Sequence, residues 1–345
     1  MALAAAVCLG LATPTGAAAA PVPTPSSERP TGTSTSTWVP KALPIIEITE
    51  GSDGGTVNGS DGLDTFAGDT GYHAVLWRKG KLVDLGPGIA FDVNRRGTAV
   101  GAIYDEQHRG RAGLWRRNTP VPLAVPPGAV SSSAQSINEH GTIVGFAYFP
   151  VADETPQARA LVWSAQTPNQ YQDIGSLASQ NGEETRLYGI GEAGVFVGNS
   201  ELSSSWRSQA ITGTAVTGLR DLDDGGDDVQ SRAHAIAGRF IAGAVTPPGT
   251  GSSRPALWKD GVLRKLPLPP GGDYGELTAV NIRGTAVGYT DQGGALWPLG
   301  QGLVFLTGLD GIWTGSPQTI TDRNVVGGSS INSDGVYMPT LWVQR

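Results

Sequence analysis

Ala90-Phe91-Asp92-Val93-Asn94-Arg95-Arg96-Gly97-Thr98-Ala99-Val100-Gly101 decides the fold of this chain, because close copies of it return downstream. Ala134 to Asn138 followed by Gly141-Thr142-Ile143-Val144-Gly145 is one copy, and Ala279-Val280-Asn281 followed by Gly284-Thr285-Ala286-Val287-Gly288 is another. Asparagine with glycine three residues later favours a type I turn whose glycine takes the left-handed conformation of a three-residue hairpin. The stretch therefore reads as two short β-strands joined by a tight turn, with the charged turn residues left in solvent.

Working outward, each copy leads to a third, mostly apolar segment that ends in tryptophan, at Trp77, Trp115, Trp163, Trp258, Trp297 and Trp342. A short fourth segment follows, such as Leu82-Val83-Asp84-Leu85. The tryptophans recur roughly every 40–50 residues, and between Trp163 and Trp258 a degenerate copy at Gln209-Ala210-Ile211 and Leu219-Arg220-Asp221-Leu222 lacks its own. Four β-segments at this period make a propeller blade, whereas β-helix and leucine-rich coils are about half as long. Seven second segments occur: Thr65 to Gly68, Thr98 to Gly101, Thr142 to Gly145, Val195 to Gly198, Phe240 to Gly243, Thr285 to Gly288 and Asn324 to Gly327. The chain ends after a third segment, Pro339 to Val343, and an unpaired fourth-type segment, Pro44 to Thr49, stands ahead of the first repeat. The expectation is an all-β, seven-bladed β-propeller over residues 44–345, its ring closed by an N-terminal strand that completes the last blade. The six recurring tryptophans then read as packing between blades.

Composition agrees. Of 345 residues, 50 are glycine and 24 proline, with 16% charged, which suits many short strands and tight turns rather than long helices. A net charge of −7 gives no electrostatic footprint for nucleic acid or an anionic membrane surface. Residues 1–20 are uncharged and end in Ala18-Ala19-Ala20, which fits a signal peptide whose basic n-region is missing. Residues 21–43, rich in Pro, Ser and Thr and including Trp38, read as a disordered leader. The one cysteine, Cys8, lies in the signal, so a processed chain has neither disulfide nor thiol chemistry. No further segment is long and apolar enough to insert in a membrane, and the expected product is a monomer, secreted or held at the cell surface.

His73-Ala74-Val75-Leu76-Trp77 with Leu82-Val83-Asp84-Leu85-Gly86, followed by the Asn-x-x-Gly segment, resembles the repeat of the bacterial HAF-repeat extracellular proteins. The resemblance covers nearly the whole chain after residue 44 and implies secretion and a repeat fold. It implies no catalytic motif. The chain departs from the repeat by carrying Val75 or leucine where phenylalanine is common.

Function should then reside in the variable connections on the face opposite the Asn-x-x-Gly turns. Aligning the units places Ile89, Ser133, Arg186, Arg232, Glu276 and Ser316 near the axis there. Arg186, Arg232 and Glu276, with Tyr188 and His234 in register, would line a channel mouth suited to an anionic or hydroxylated ligand, or else form a salt-bridge plug. Trp206 and Trp313 fall outside the tryptophan column and are candidate partner contacts. Asp223, Asp224, Asp227 and Asp228 around Gly225-Gly226 could hold calcium or form a solvated acidic loop; no other cofactor is expected. The four histidines lack metal-ligand spacing and there is no Gly-x-Ser-x-Gly. These features favour a binding or scaffold module for a glycan or extracellular protein. The alternative is a secreted hydrolase or lyase using carboxylates at the channel mouth on a polysaccharide.

Overall fold

The Asn-x-x-Gly turns form as their chemistry requires. The computed structural model describes residues 38–46, 54–151, 154–175, 177, 184–202, 207–223, 225–226, 230–311 and 315–345. In it, Asn94 N donates to Thr98 O at 3.1 Å, Asn94 Oδ1 accepts Thr98 N at 3.1 Å, and Gly97 is left-handed at φ 74°. In the last copy Asn324 takes the left-handed place, at φ 62°. Asn94, Asn138 and Asn281 are not simple solvated turn residues. All three are buried, and Asn94 Nδ2 donates to Asn138 O of the next copy at 3.1 Å, as Asn281 Nδ2 does to Thr321 O. The repeated asparagine thus fixes its own turn and ties it to its neighbour.

Among the described residues every regular element is an antiparallel β-strand. Strand β1 (Trp38–Ala42) comes first. A seven-stranded sheet follows, made of β2 (Gly55–Ser60), β3 (Thr65–Thr70), β4 (His73–Arg78), β5 (Lys81–Val93), β6 (Ala99–Tyr104), β7 (Gly110–Arg116) and β8 (Thr119–Pro122). The next sheet is β9 (Ser131–Ile137), β10 (Thr142–Val151), β11 (Glu154–Ser164) and β12 (Tyr171–Gly175). Then come β13 (Glu184–Ile190), β14 (Phe196–Leu202), β15 (Arg207–Thr214) and β16 (Gly218–Asp221). A further sheet holds β17 (Gln230–Ala237), β18 (Phe240–Thr246), β19 (Arg254–Lys259) and β20 (Val262–Lys265). Another holds β21 (Gly275–Val280), β22 (Ala286–Thr290), β23 (Gly293–Trp297) and β24 (Val304–Phe305). Finally β25 (Ser316–Ile320), β26 (Val326–Ile331) and β27 (Tyr337–Gln344) take β1 as their fourth strand, with Trp38 opposite Gln344. The seven-stranded sheet is joined through β5, whose early residues pair with β4 and whose later ones pair with β6.

Two expectations are corrected here. The N-terminal strand added to the last sheet is Trp38–Ala42, not Pro44 to Thr49. Leu43 to Ile46 form no strand, and residues 47–49 lie outside the described residues. Trp38, assigned to a disordered leader, is buried at 6% exposure among Val287, Leu296, Leu306 and Trp342. A proline-rich composition masked this strand, because the apolar partner for Trp38 comes from the far end of the chain.

Each first segment carries a β-bulge at the same place. The extra residues are Asn58, Phe91, Gln135, Tyr188, His234, Thr278 and Gln318. The bulge explains the recurring Val-Gly. A Cβ on Gly243 would sit 1.9 Å from Arg232 O, and one on Gly288 1.9 Å from Glu276 O. The same approach picks out Gly328, against Ser316 O at 2.1 Å, as the last copy's glycine in place of Gly327.

The tryptophans join neighbouring sheets. Trp115 packs on Ala67, Leu76 and Leu85 of the preceding repeat, and its Nε1 donates to Leu85 O at 3.0 Å. Trp163 reaches Ala124 O, Trp297 reaches Pro267 O and Trp342 reaches Thr307 O in the same way. Trp77 donates at 2.8 Å to Pro44 O, just after β1. Burying each such ring contributes about 1.5–3 kcal/mol, and the N–H finds an acceptor that would otherwise be lost with water. Among the described residues no helix is long and apolar enough to cross a membrane.

Candidate functional site

The bulged strands put a set of polar side chains at one level. Ile89, Ser133, Arg186, Arg232, Glu276 and Ser316 each stand opposite the residue that follows the recurring glycine, as the alignment of units required. Arg186, Tyr188, His234 and Glu276 are brought into one continuous cluster, with Arg232 close enough to act on its charges.

Glu276 is its fixed point. The residue is 2% exposed, and its carboxylate takes the Tyr274 hydroxyl at 2.9 Å and the Tyr289 hydroxyl at 3.2 Å, with His234 Nε2 2.8 Å away. Burial pushes this carboxyl up, but His234, the Tyr274 hydroxyl and Arg232 outweigh it and hold the group at about 2. Tyr188 stacks on His234 with centroids 5.7 Å apart, and burial pushes its hydroxyl up to about 12. Arg186 is paired with Glu184 and, at 3.1 Å, with Glu201, and lies over the Tyr148 ring at 5.6 Å. Burial raises the Glu184 carboxyl, against the pull of Arg186.

Aromatics extend the cluster along β10, the long strand of its hairpin. Phe146 meets Tyr148 and Tyr188 edge-on at 5.5 and 6.1 Å, and Arg159 covers Phe149 at 4.5 Å. Tyr148, Tyr188, Tyr274 and Tyr289 are partly exposed. Tyr148, Tyr274, Tyr289 and Glu201 escaped the sequence reading. One signal existed for Tyr289: it directly follows the recurring Gly288, and so must face the Glu276 level of the first strand.

Trp206, Trp313, Asp224, Asp227 and Asp228 lie outside the described residues. Asp223 is exposed, its Oδ1 accepts Gly225 N at 3.0 Å, and its carbonyl accepts the Trp258 indole. Among the described residues no three His, Cys, Asp or Glu side chains are grouped to hold a metal ion.

On the other side of the bulges, towards the Asn-x-x-Gly turns, lies a cavity of about 300 Å³. Residues of β2, β5, β9, β13, β17, β21 and β25 all line it, including Asn58, Gln135, His234 and Gln318. It lies on the far side of the bulges from Arg186, Arg232 and Glu276, which stand towards the variable-loop face. Asp92 also lines it, accepting Val93 N and the Ser136 hydroxyl at 2.8 Å and Ile137 N at 3.1 Å. Burial pushes Asp92 up to about 7, against these three donors.

Comparison with solved structures agrees with the architecture. The chain superposes on a puromycin hydrolase S511A mutant complexed with PGG at a TM-score of 0.55 and 12% identity, covering 83% of this chain and 53% of that one. It superposes equally, at 0.55 and 11% identity, on a structure from an analysis of two prolyl endopeptidases, covering 81% of this chain and 46% of that one. The chain has an all-β fold of β-propeller type. It spans about half the length of these two solved structures, and likeness at this identity concerns the fold alone. No family model matches the chain, and no curated protein does.

Proposed function

We propose that the chain is a closed, seven-bladed β-propeller of the HAF-repeat type, exported from the cell, that binds a glycan on its variable-loop face. In this reading the seven-stranded sheet is two blades sharing β5, and β1 supplies the last blade's fourth strand. Closure is supported where the first and last repeats meet: Ser60 Oγ lies 3.3 Å from Thr319 Oγ1, and Asp322 N donates to Gly62 O at 3.1 Å. The cavity lined by all seven first strands supports the same ring.

The observation that carries binding over catalysis is the state of Glu276. Two tyrosine hydroxyls on one oxygen and the adjacent His234 keep it ionised below the surface, so it has no proton to give as a general acid. Arg186 is held through its two terminal nitrogens by Glu184 and Glu201, while its buried Nε has no hydrogen-bond partner among the described residues. What remains is a rigid arc of partly exposed aromatic rings bearing hydroxyls, which suits stacking and hydrogen bonding to a sugar. The rival reading, a carboxylate-dependent hydrolase or lyase, draws on Glu184, whose carboxyl burial raises, but that group is tied to Arg186.

The test is retention of the protein on insoluble bacterial and plant polysaccharides, with released sugars assayed in the supernatant. Retention that falls about tenfold in Tyr148→Ala, the worth of one lost stacking contact, is expected. Sugar release by the parent protein would instead make it an enzyme. Absence of retention on every polysaccharide would move the search to extracellular protein partners.

A further inference from the structure

We propose that the cavity at the Asn-x-x-Gly end of the first strands is a second binding site, opening away from the glycan face and sharing only Tyr188 and His234 with its cluster, that takes an alkylammonium group. The sign of the ligand comes from the mouth. Asp61, Glu139, Glu192 and Asp322 line it, against the single guanidinium of Arg95. These carboxylates are held in place by the backbone of adjacent turns: Glu139 Oε1 accepts Arg95 N at 2.8 Å, and Glu192 Oε2 accepts Glu139 N at 3.1 Å. Arg95 stands 3.6 Å from Asp322, so one charge pair is internally balanced and the rest of the rim stays negative.

A separate observation, at the floor, says that the ligand must bring hydrogen-bond donors. Asn58 Nδ2 is fixed by two acceptors, Asp69 Oδ1 and Ala90 O, both at 3.1 Å, which leaves its carbonyl oxygen as the group not used in those bonds. Gln135 and Gln318 likewise turn Nε2 to Ser133 and Ser316 at 2.7 and 3.2 Å. Asn58 thus spends both of its amide donors on the protein and keeps its acceptor, while Gln135 and Gln318 spend one donor each. An anionic rim above a floor that presents the free carbonyl of Asn58 selects a slim cation with N–H groups, and an ammonium on a flexible alkyl chain has that form. A volume of about 300 Å³ is at the small end for ligand pockets and matches one such chain. The lining carboxylates do not form a metal-binding group of three, so the rim acts through its field on a cation that brings its own donors. The ammonium has two sources: a free amine, or a lysine side chain of a partner protein.

Isothermal titration of the full chain with cadaverine, with a peptide carrying one lysine, and with the Nε-acetylated peptide tests the assignment. Saturable binding is expected for at least one ammonium probe, with the acetylated peptide at least tenfold weaker. Cadaverine alone binding assigns a free amine, and the lysine peptide alone assigns a partner. Glu139→Gln with Glu192→Gln should weaken binding about tenfold, the order expected for two charges at a partly solvated mouth. Ile282→Trp, at a rim residue 58% exposed, should block entry without altering the melting temperature. No heat with either ammonium probe, equal binding of the acetylated peptide, or unchanged affinity in the double variant would overturn the proposal. Polysaccharide retention should be unaffected by all three substitutions, which separates failure here from failure of the glycan reading.

Discussion

Removing β1 together with Leu43 should cost the protein its cooperative fold, and the size of the effect follows from what that segment buries. Trp38 sits at 6% exposure in the cluster of Leu296, Leu306, Val326 and Trp342, and Leu43 at 3% exposure packs with Val57, Phe66 and Trp77. Truncating a buried tryptophan costs about 3–5 kcal/mol and a buried leucine about 2–5 kcal/mol. Their sum, roughly 5–10 kcal/mol, rivals the whole stability of an ordinary folded protein. The β1–β27 ladder, from Trp38 opposite Gln344 to Ala42 opposite Thr340, is lost as well and leaves β27 an open edge. A chain beginning at residue 37 should therefore melt as the parent does, whereas one beginning at residue 44 should lose its sharp transition and aggregate. In the full chain, Trp38→Ala should lower the melting temperature by roughly 10 °C. Circular dichroism melts with size-exclusion chromatography read both effects. If the chain beginning at residue 44 melts within about 2 °C of the parent, β1 does not hold the ring and the closure argument is wrong.

Two further predictions concern the bulges and the buried carboxyls. Gly243→Ala should destabilise by about 3 kcal/mol or more in urea unfolding, because its Cβ would overlap Arg232 O at 1.9 Å, while Gly302→Ala, with open space around it, should be near neutral. Stability should also peak in mild acid. Asp92 and Asp69 have folded values raised by burial to about 7 and about 6, so their ionisation in the folded state penalises it, and stability should rise as pH falls from about 7 towards 4. Glu276, held at about 2, contributes stability above its unfolded value of 4.5 that is lost as pH falls from there through 2. Urea midpoints across pH 2–8 should follow this curve. Asp92→Asn should flatten the upper limb, and Glu276→Gln the lower; an unaltered curve in both would refute the assignment.

The sequence by itself determined the strand pattern, the repeat and the register of the site. Asn-x-x-Gly specifies a local turn, and apolar segments ending in Trp77, Trp115 or Trp342 specify which face is buried, since both effects act over a few residues. Arg186, Arg232 and Glu276 could be placed at one level because repeats enforce equivalent geometry. Only the tertiary structure decided what joins across repeats. Trp38 finds its partners about 250–300 residues away, so its own proline-rich neighbourhood gave no signal for a strand. The Tyr274 and Tyr289 hydroxyls on Glu276 and the Ser136 hydroxyl on Asp92 belong to a loop or to other strands whose side chains differ between copies. The charge state of Glu276, on which the choice between binding and catalysis turns, is therefore a property of packing: the same carboxylate in water would titrate as any other, and here His234, the Tyr274 hydroxyl and Arg232 hold it as an anion against the opposing effect of burial.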